Sequence, residues 1–230
     1  MLYNKEIIKN SGDIMKKVLL IGDSIRIGYD SYVKKALQDT CEVKYPAENC
    51  QFAQYTLRHI VEWKDLFNPQ EVDLVHWNVG LWDTLVLCED ECLTPPDFYT
   101  YFMDKICKRI KLLFPNAKVI FATSTPIIES RFPEGMYRLN SDVRKYNEIA
   151  VEVCKKHGFI INDLYSVLDG IPEEYYIDAA HPYTEEGTVI TTNAVVKAIS
   201  EVLDLEYKGF MLDSEDRQKI KKKIEEVLGI

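Results

Sequence analysis

The stretch LLIGDSIRIGYD, residues 19–30, runs apolar for three residues and then sets Gly22, Asp23 and Ser24 in a row ahead of a helix-like pattern. A buried strand that stops on a glycine, an acid and a hydroxyl has two explanations. These residues are common in turns and at helix N-caps. They also place a hydroxyl beyond the carboxyl end of a strand, where open α/β sheets form their sites.

Working outward from this strand, short apolar runs recur at 16–22, 41–47, 72–80, 117–125 and 159–165, each bounded by turn residues or charge. Amphipathic stretches at 28–38, 52–67, 97–113, 140–157 and 185–203 separate or follow them and predict helices. Five strands alternating with helices imply an α/β fold with a parallel sheet covered on both faces, because right-handed crossovers lay their helices against the sheet. A strand order of 2-1-3-4-5 would put the loops after the first and third strands side by side at the switch point.

Residues 1–15 form a short N-terminal extension, 16–203 the single domain, and 204–230 a polar connector with a charged helix packed on or beside that domain. The lysines of that helix, Lys219, Lys221, Lys222 and Lys223, are partly balanced by Glu225 and Glu226 and form a solvated face.

The chain of 230 residues is long enough to bury a full core, and 47% hydrophobic with 28% charged residues is the composition of a globular protein. Its net charge of -9 argues against a nucleic-acid partner, which needs a basic surface. Six scattered cysteines have neither a CxxC pair nor metal-ligand spacing with the four histidines, so reduced thiols and no metal or other cofactor are expected. The first residues lack the apolar run of a signal peptide, and no segment reaches the roughly 18 apolar residues of a membrane span. The expectation is a cytoplasmic protein with no membrane partner.

A serine is a weak nucleophile until a base takes its proton, and that base is usually a histidine oriented by a carboxylate. His59 falls inside a helical pattern, His157 precedes Gly158 at a helix C-terminus, and His76 lies inside the third strand; all three read as structural. His181 stands three residues after Asp178 in DAAHPYTEEG, just before the last helix. That spacing lets the carboxylate reach one imidazole nitrogen while the other faces outward. Thr184 is expected to cap the helix that follows.

The ordered blocks GDS after the first strand, NVGLWD after the third and DAAHPYTEEG before the last helix resemble those of the SGNH, or GDSL-type, hydrolases. The stretch beginning TPIIES after the fourth strand adds to this, and the resemblance spans residues 16 to about 203. It implies a flavodoxin-like three-layer sandwich and a serine esterase with Ser24 as nucleophile, His181 as base and Asp178 as orienting acid. A small-molecule carboxylic ester is the implied substrate, such as an acetyl ester on a carbohydrate or another small polar acceptor. A lipid acyl hydrolase, a thioesterase and a non-catalytic binding module on the same fold are the alternatives.

The chain departs from the family pattern at the oxyanion hole. The third block, usually Gly-x-Asn-Asp, is here Gly80-Leu81-Trp82-Asp83, and the second block lacks its glycine. Asn78 and Asn49 are therefore the candidate replacement donors, Gly80 the position permitting close backbone approach, and Trp82 a pocket wall or substitute N–H donor. Asp23 and Asp83 are expected to hold their own loops. Trp77, Trp82, Tyr29, Tyr175, Tyr176 and Tyr183 are expected to crowd the loops around the site, a lining suited to sugar rings and also found in acyl channels.

Overall fold

The computed structural model describes residues 15–88 and 90–228. A five-stranded parallel sheet runs β2 (Cys41–Lys44), β1 (Lys16–Ile21), β3 (Leu74–Asn78), β5 (Lys118–Ala122) and β7 (Ile160–Asn162). The five runs anticipated from sequence thus lie in the expected spatial succession. The numbering differs from 2-1-3-4-5 because two short strands were not foreseen. These are β4 (Val86–Leu87) and β6 (Met136–Tyr137), which pair antiparallel with each other away from the sheet.

Period-two alternation divides the core between the two faces of the sheet. Leu19, Ile21, Val75, Trp77 and Phe121 join one cluster, packed with α2 (Ala53–Trp63), α3 (Pro96–Leu113) and α4 (Asn140–Lys156). Val18, Leu20, Leu74, Ile120 and Ala122 join the other, packed with α1 (Ser24–Ala36) and α6 (Glu185–Leu203). Strands buried on both faces explain the unbroken apolar runs of β1 and β3. Their register, Val18 against Leu74 through Ile21 against Trp77, brings the carboxyl ends of both strands to the same edge.

Helix α1 starts at Ser24 rather than at residue 28, because the Asp23 side chain caps it by accepting the Ile25 N–H at 2.9 Å. A short helix α5 (Leu164–Leu168) follows β7 where the sequence suggested a longer strand. Beyond α6, the chain returns over α1. Phe210 and Ile220 of α7 (Ser214–Leu228) pack on Tyr32, while Lys35 meets Asp213 at 2.5 Å and Asp216 at 2.7 Å. The expected N-terminal extension, except Met15, lies outside the described residues. Among those described, no helix is long and apolar enough to cross a membrane.

Candidate active site

The tripeptide that ends β1 performs both of the jobs its sequence allows. Gly22 is required by crowding: a Cβ there would lie 1.9 Å from Asn78 Oδ1 and 2.7 Å from Arg26 Cβ. Asp23 is buried and its Oδ1 accepts from both Ile25 N–H and Asn78 Nδ2, which fastens the loop to the end of β3. Burial pushes its carboxyl up from the usual range, partly opposed by those two hydrogen bonds. Ser24 is thereby fixed as the first residue of α1, half-buried at the carboxyl edge of the sheet.

The loop before α6 brings a histidine to that serine. His181 Nε2 lies 2.8 Å from Ser24 Oγ, and Nδ1 lies 2.6 Å from Asp178 Oδ2. The other carboxylate oxygen of Asp178 accepts the backbone N–H groups of Ala180 and His181, each at 2.8 Å, so the turn itself sets the imidazole's orientation. Burial pushes the Asp178 carboxyl up, but the bonds from His181 and the two amides outweigh it and hold the group below the usual carboxylate range. With the Asp178 side chain anionic, Nδ1 carries the proton and Nε2 is left to accept from the serine hydroxyl. Thr184 caps α6 through the Gly187 N–H, as its sequence position suggests.

The other three histidines are engaged elsewhere. His59 meets Glu62, and His157 meets Asp104 at 2.9 Å. His76 is buried in the sheet beside Asn162 and is pushed down to about 3 by desolvation. Among the described residues, no group of three or more His, Cys, Asp or Glu side chains could hold a metal ion.

The expected oxyanion residues are placed differently from one another. Asn78 lies beneath the loop, 2% exposed, with Nδ2 given to Asp23. Asn49 is half-buried and closes its own turn by accepting the Gln51 N–H at 2.9 Å; Gln51 takes a left-handed φ of 49° in the loop where the family glycine is missing. Gly80 has a φ of 135°, which side chains rarely adopt, and a Cβ there would also meet Tyr99 Oη at 2.7 Å and Ser124 Oγ at 2.9 Å, so conformation and packing together exclude a side chain. Trp82 is half-buried in the turn after β3. Asp83 is buried, and both its oxygens accept the Ala53 N–H that opens α2. Trp77 and Tyr29 do not line the site: both are fully buried, Trp77 against Phe121 and Tyr29 edge-on to His76.

No protein-family model and no curated protein matches the chain. Solved structures do. A lipase/acylhydrolase from Enterococcus faecalis is 20% identical, with 84% of this chain and 99% of that one covered at a TM-score of 0.65. A member of the lipolytic G-D-S-L family from Veillonella parvula is also 20% identical, covering 80% and 98% at 0.57. The chain has the SGNH/GDSL hydrolase fold. An aryl esterase from M. smegmatis shares it at 16% identity, 81% and 99% coverage and a TM-score of 0.62.

Two further side chains bear on the site loops of this SGNH-type fold: Tyr183, expected around the site from sequence, and Arg138, which was not. Tyr183, next but one to His181, donates its hydroxyl to the Ser24 carbonyl and lies with its ring centroid 4.8 Å from the imidazole. Gly28 makes room for it, since a Cβ there would stand 2.4 Å from Tyr183 Cε1. Arg138, directly after β6, gives its Nε to the Leu81 carbonyl at 2.6 Å and so joins the turn after β3 from 57 positions away. The Gly-Tyr spacing offers no signal in sequence, and Arg138 lies in an unremarkable polar segment.

Proposed function

We propose that the chain is a serine hydrolase that cleaves a carboxylic ester, with Ser24 as nucleophile, His181 as general base and Asp178 as the residue that orients and charges the base. The single observation that carries this is the continuous relay Asp178 Oδ2, His181 Nδ1, His181 Nε2, Ser24 Oγ, with links of 2.6 and 2.8 Å. As Ser24 Oγ attacks the ester carbonyl carbon, its proton passes to Nε2. The C=O pair moves onto oxygen, and the resulting oxyanion lies by the N-terminus of α1, where the first amides, Ser24 N–H among them, have no intrahelical acceptor. Collapse expels the alkoxide, which takes the proton from Nε2. Water then gives a proton to Nε2 as its oxygen bonds the acyl carbon, and collapse breaks the bond to Ser24 Oγ, which takes the proton back from Nε2 as the acid leaves.

A small acyl group such as acetyl suits a half-buried serine with its base lying directly over it. Of the six aromatic residues expected around the site, Trp82 and Tyr175 are the ones not buried, and Tyr175 lines a cavity with Glu185, Val189 and Arg217. The fold neighbours named lipase/acylhydrolase and aryl esterase agree with ester chemistry.

The test uses purified protein with a fluorophosphonate probe and p-nitrophenyl acetate. Expected are covalent labelling at Ser24, ester hydrolysis, and loss of both in Ser24→Ala. Labelling that persists in the variant removes Ser24 from the role, and neither labelling nor hydrolysis by the wild type identifies a binding module on a hydrolase fold.

A further inference from the structure

Two arginines near the site other than Arg138 are matched by partners. Arg26, fully buried below the loop, divides its guanidinium among the Asp30 carboxylate, the Glu48 carbonyl and the Gly22 carbonyl. Arg131 spans the Tyr176 and Asp178 carbonyls and lies 3.8 Å from Glu173. Arg138 is half-buried, yet its sole hydrogen bond among the described residues is from Nε to the Leu81 carbonyl, and no carboxylate there comes within ion-pair distance.

Its position is fixed from two directions. Leu81 belongs to the turn after β3, and the Phe132 ring lies 5.6 Å from the guanidinium carbon. Leu81 follows the end of β3, which Asn78 ties to Asp23 at the start of α1, so Arg138 is held at the same edge of the sheet as Ser24. Burial pulls the guanidinium's pKa down, while the charges of Asp23 and Asp178 oppose this, which places both carboxylates within its electrostatic reach. Neither lies within ion-pair distance of Arg138, and Asp178 is already engaged by His181 and two amides.

Its two terminal nitrogens make no hydrogen bond among the described residues and are not sealed from solvent, so they are open to a ligand. The planar fork pinned through Nε presents its remaining N–H groups in the geometry that takes two anionic oxygens at once. We propose that Arg138 is a specificity-determining residue that binds an anionic oxygen group, carboxylate or phosphate, on the alcohol part of the substrate, so that the ester cleaved is the small acyl ester of an acidic acceptor. This rests on the hydrolase reading above and adds the class of acceptor. The released product is then an acidic alcohol whose charge stays on Arg138 until it leaves.

Three acetyl esters of matched shape test it: phenyl acetate, 3-acetoxybenzoate and 3-acetoxyphenyl phosphate. The wild type is expected to show a kcat/KM about tenfold or more higher for at least one anionic ester than for phenyl acetate, the size of a charge-assisted pair of hydrogen bonds. Carboxylate and phosphate arms show which oxyanion is preferred. In Arg138→Gln that ratio should fall to about one, chiefly through KM, and Arg138→Lys should restore part of it. A wild type without an anionic preference overturns the proposal without any variant being needed. A ratio unchanged in Arg138→Gln also overturns it, and equal losses on all three esters would instead assign Arg138 to the oxyanion. Binding of 3-acetoxybenzoate to Ser24→Ala by calorimetry separates the two readings. If no ester is hydrolysed by the wild type, the hydrolase reading fails, while Arg138-dependent binding would still uphold the anion site and its absence would overturn it.

Discussion

Asn78 Nδ2 donates to Asp23 Oδ1 at 2.8 Å, and this bond ties the end of the third strand to the residue that caps the helix of Ser24. An asparagine so placed acts on the serine through Asp23. Asn78→Ala leaves the buried carboxyl with the Ile25 amide alone and should cost about 1–3 kcal/mol of stability, seen as an earlier urea midpoint together with slower ester turnover. The role expected from sequence makes a different demand: an oxyanion donor would lose about a hundredfold or more in kcat with the midpoint unmoved. Measuring both quantities on one preparation decides between them.

Gly22 is bound to the same pair by space. A methyl group there would lie 1.9 Å from Oδ1 of Asn78, whose amide is held by Asp23, and 2.7 Å from Arg26 Cβ. Gly22→Ala should therefore destabilise by more than the roughly 1–3 kcal/mol typical of overpacking. The double variant Gly22→Ala/Asn78→Ala should recover part of that loss, because the closer of the two clashes is gone. A double variant no more stable than Gly22→Ala would show that Arg26 dominates the crowding.

Asp178 builds the turn through two amides and meets Nδ1 of His181, the base in the proposed reaction. Asp178→Asn keeps an acceptor for the amides but cannot stabilise the imidazolium, and its NH2 group favours the wrong tautomer of His181. Turnover should drop by up to about ten-thousandfold, with KM changed little. Thermal stability near neutral pH should fall only modestly. A KM that rises as steeply as kcat falls would place Asp178 in substrate binding instead.

The elements most open to sequence reading were those whose signal is local. Strands buried on both faces appear as apolar runs, and the Asp178 to His181 spacing is set within a single turn. Residues that depend on contact across the fold were not. Nothing near Arg138 in sequence reports the Leu81 carbonyl, and Gly28 is explained by Tyr183 alone. Trp77 was misplaced for a related reason: a residue near a strand's end can face either the cleft or the helix layer, and the pairing of β1, β3 and β5 puts this ring against Phe121. The ribbon of β4 and β6 was missed because two-residue strands carry no periodicity.

Asp83 links the site to pH through stability. Its carboxyl is fully buried, accepts the Ala53 N–H at 3.1–3.2 Å with both oxygens, and is pushed up to about 7, chiefly by burial, with the Thr94 and Ala53 hydrogen bonds opposing. In the folded chain the group therefore keeps its proton to about pH 7, whereas its ordinary value is 3.8. Between those limits the folded state binds more protons than the unfolded one, so this group's contribution to stability declines as pH rises through the window and is constant outside it. Asp83→Asn removes the titration while keeping a carbonyl for the Ala53 amide. The melting temperature of the variant relative to wild type should be lowest at about pH 4 and below, improve as pH rises to about 7 and level off beyond it. Asp23, also pushed up by burial, is present in both proteins and largely cancels from the comparison. A melting difference that is the same at pH 5 and pH 8 would show that Asp83 ionises alike in the folded and unfolded chains, and that the amide of α2 compensates its burial in full.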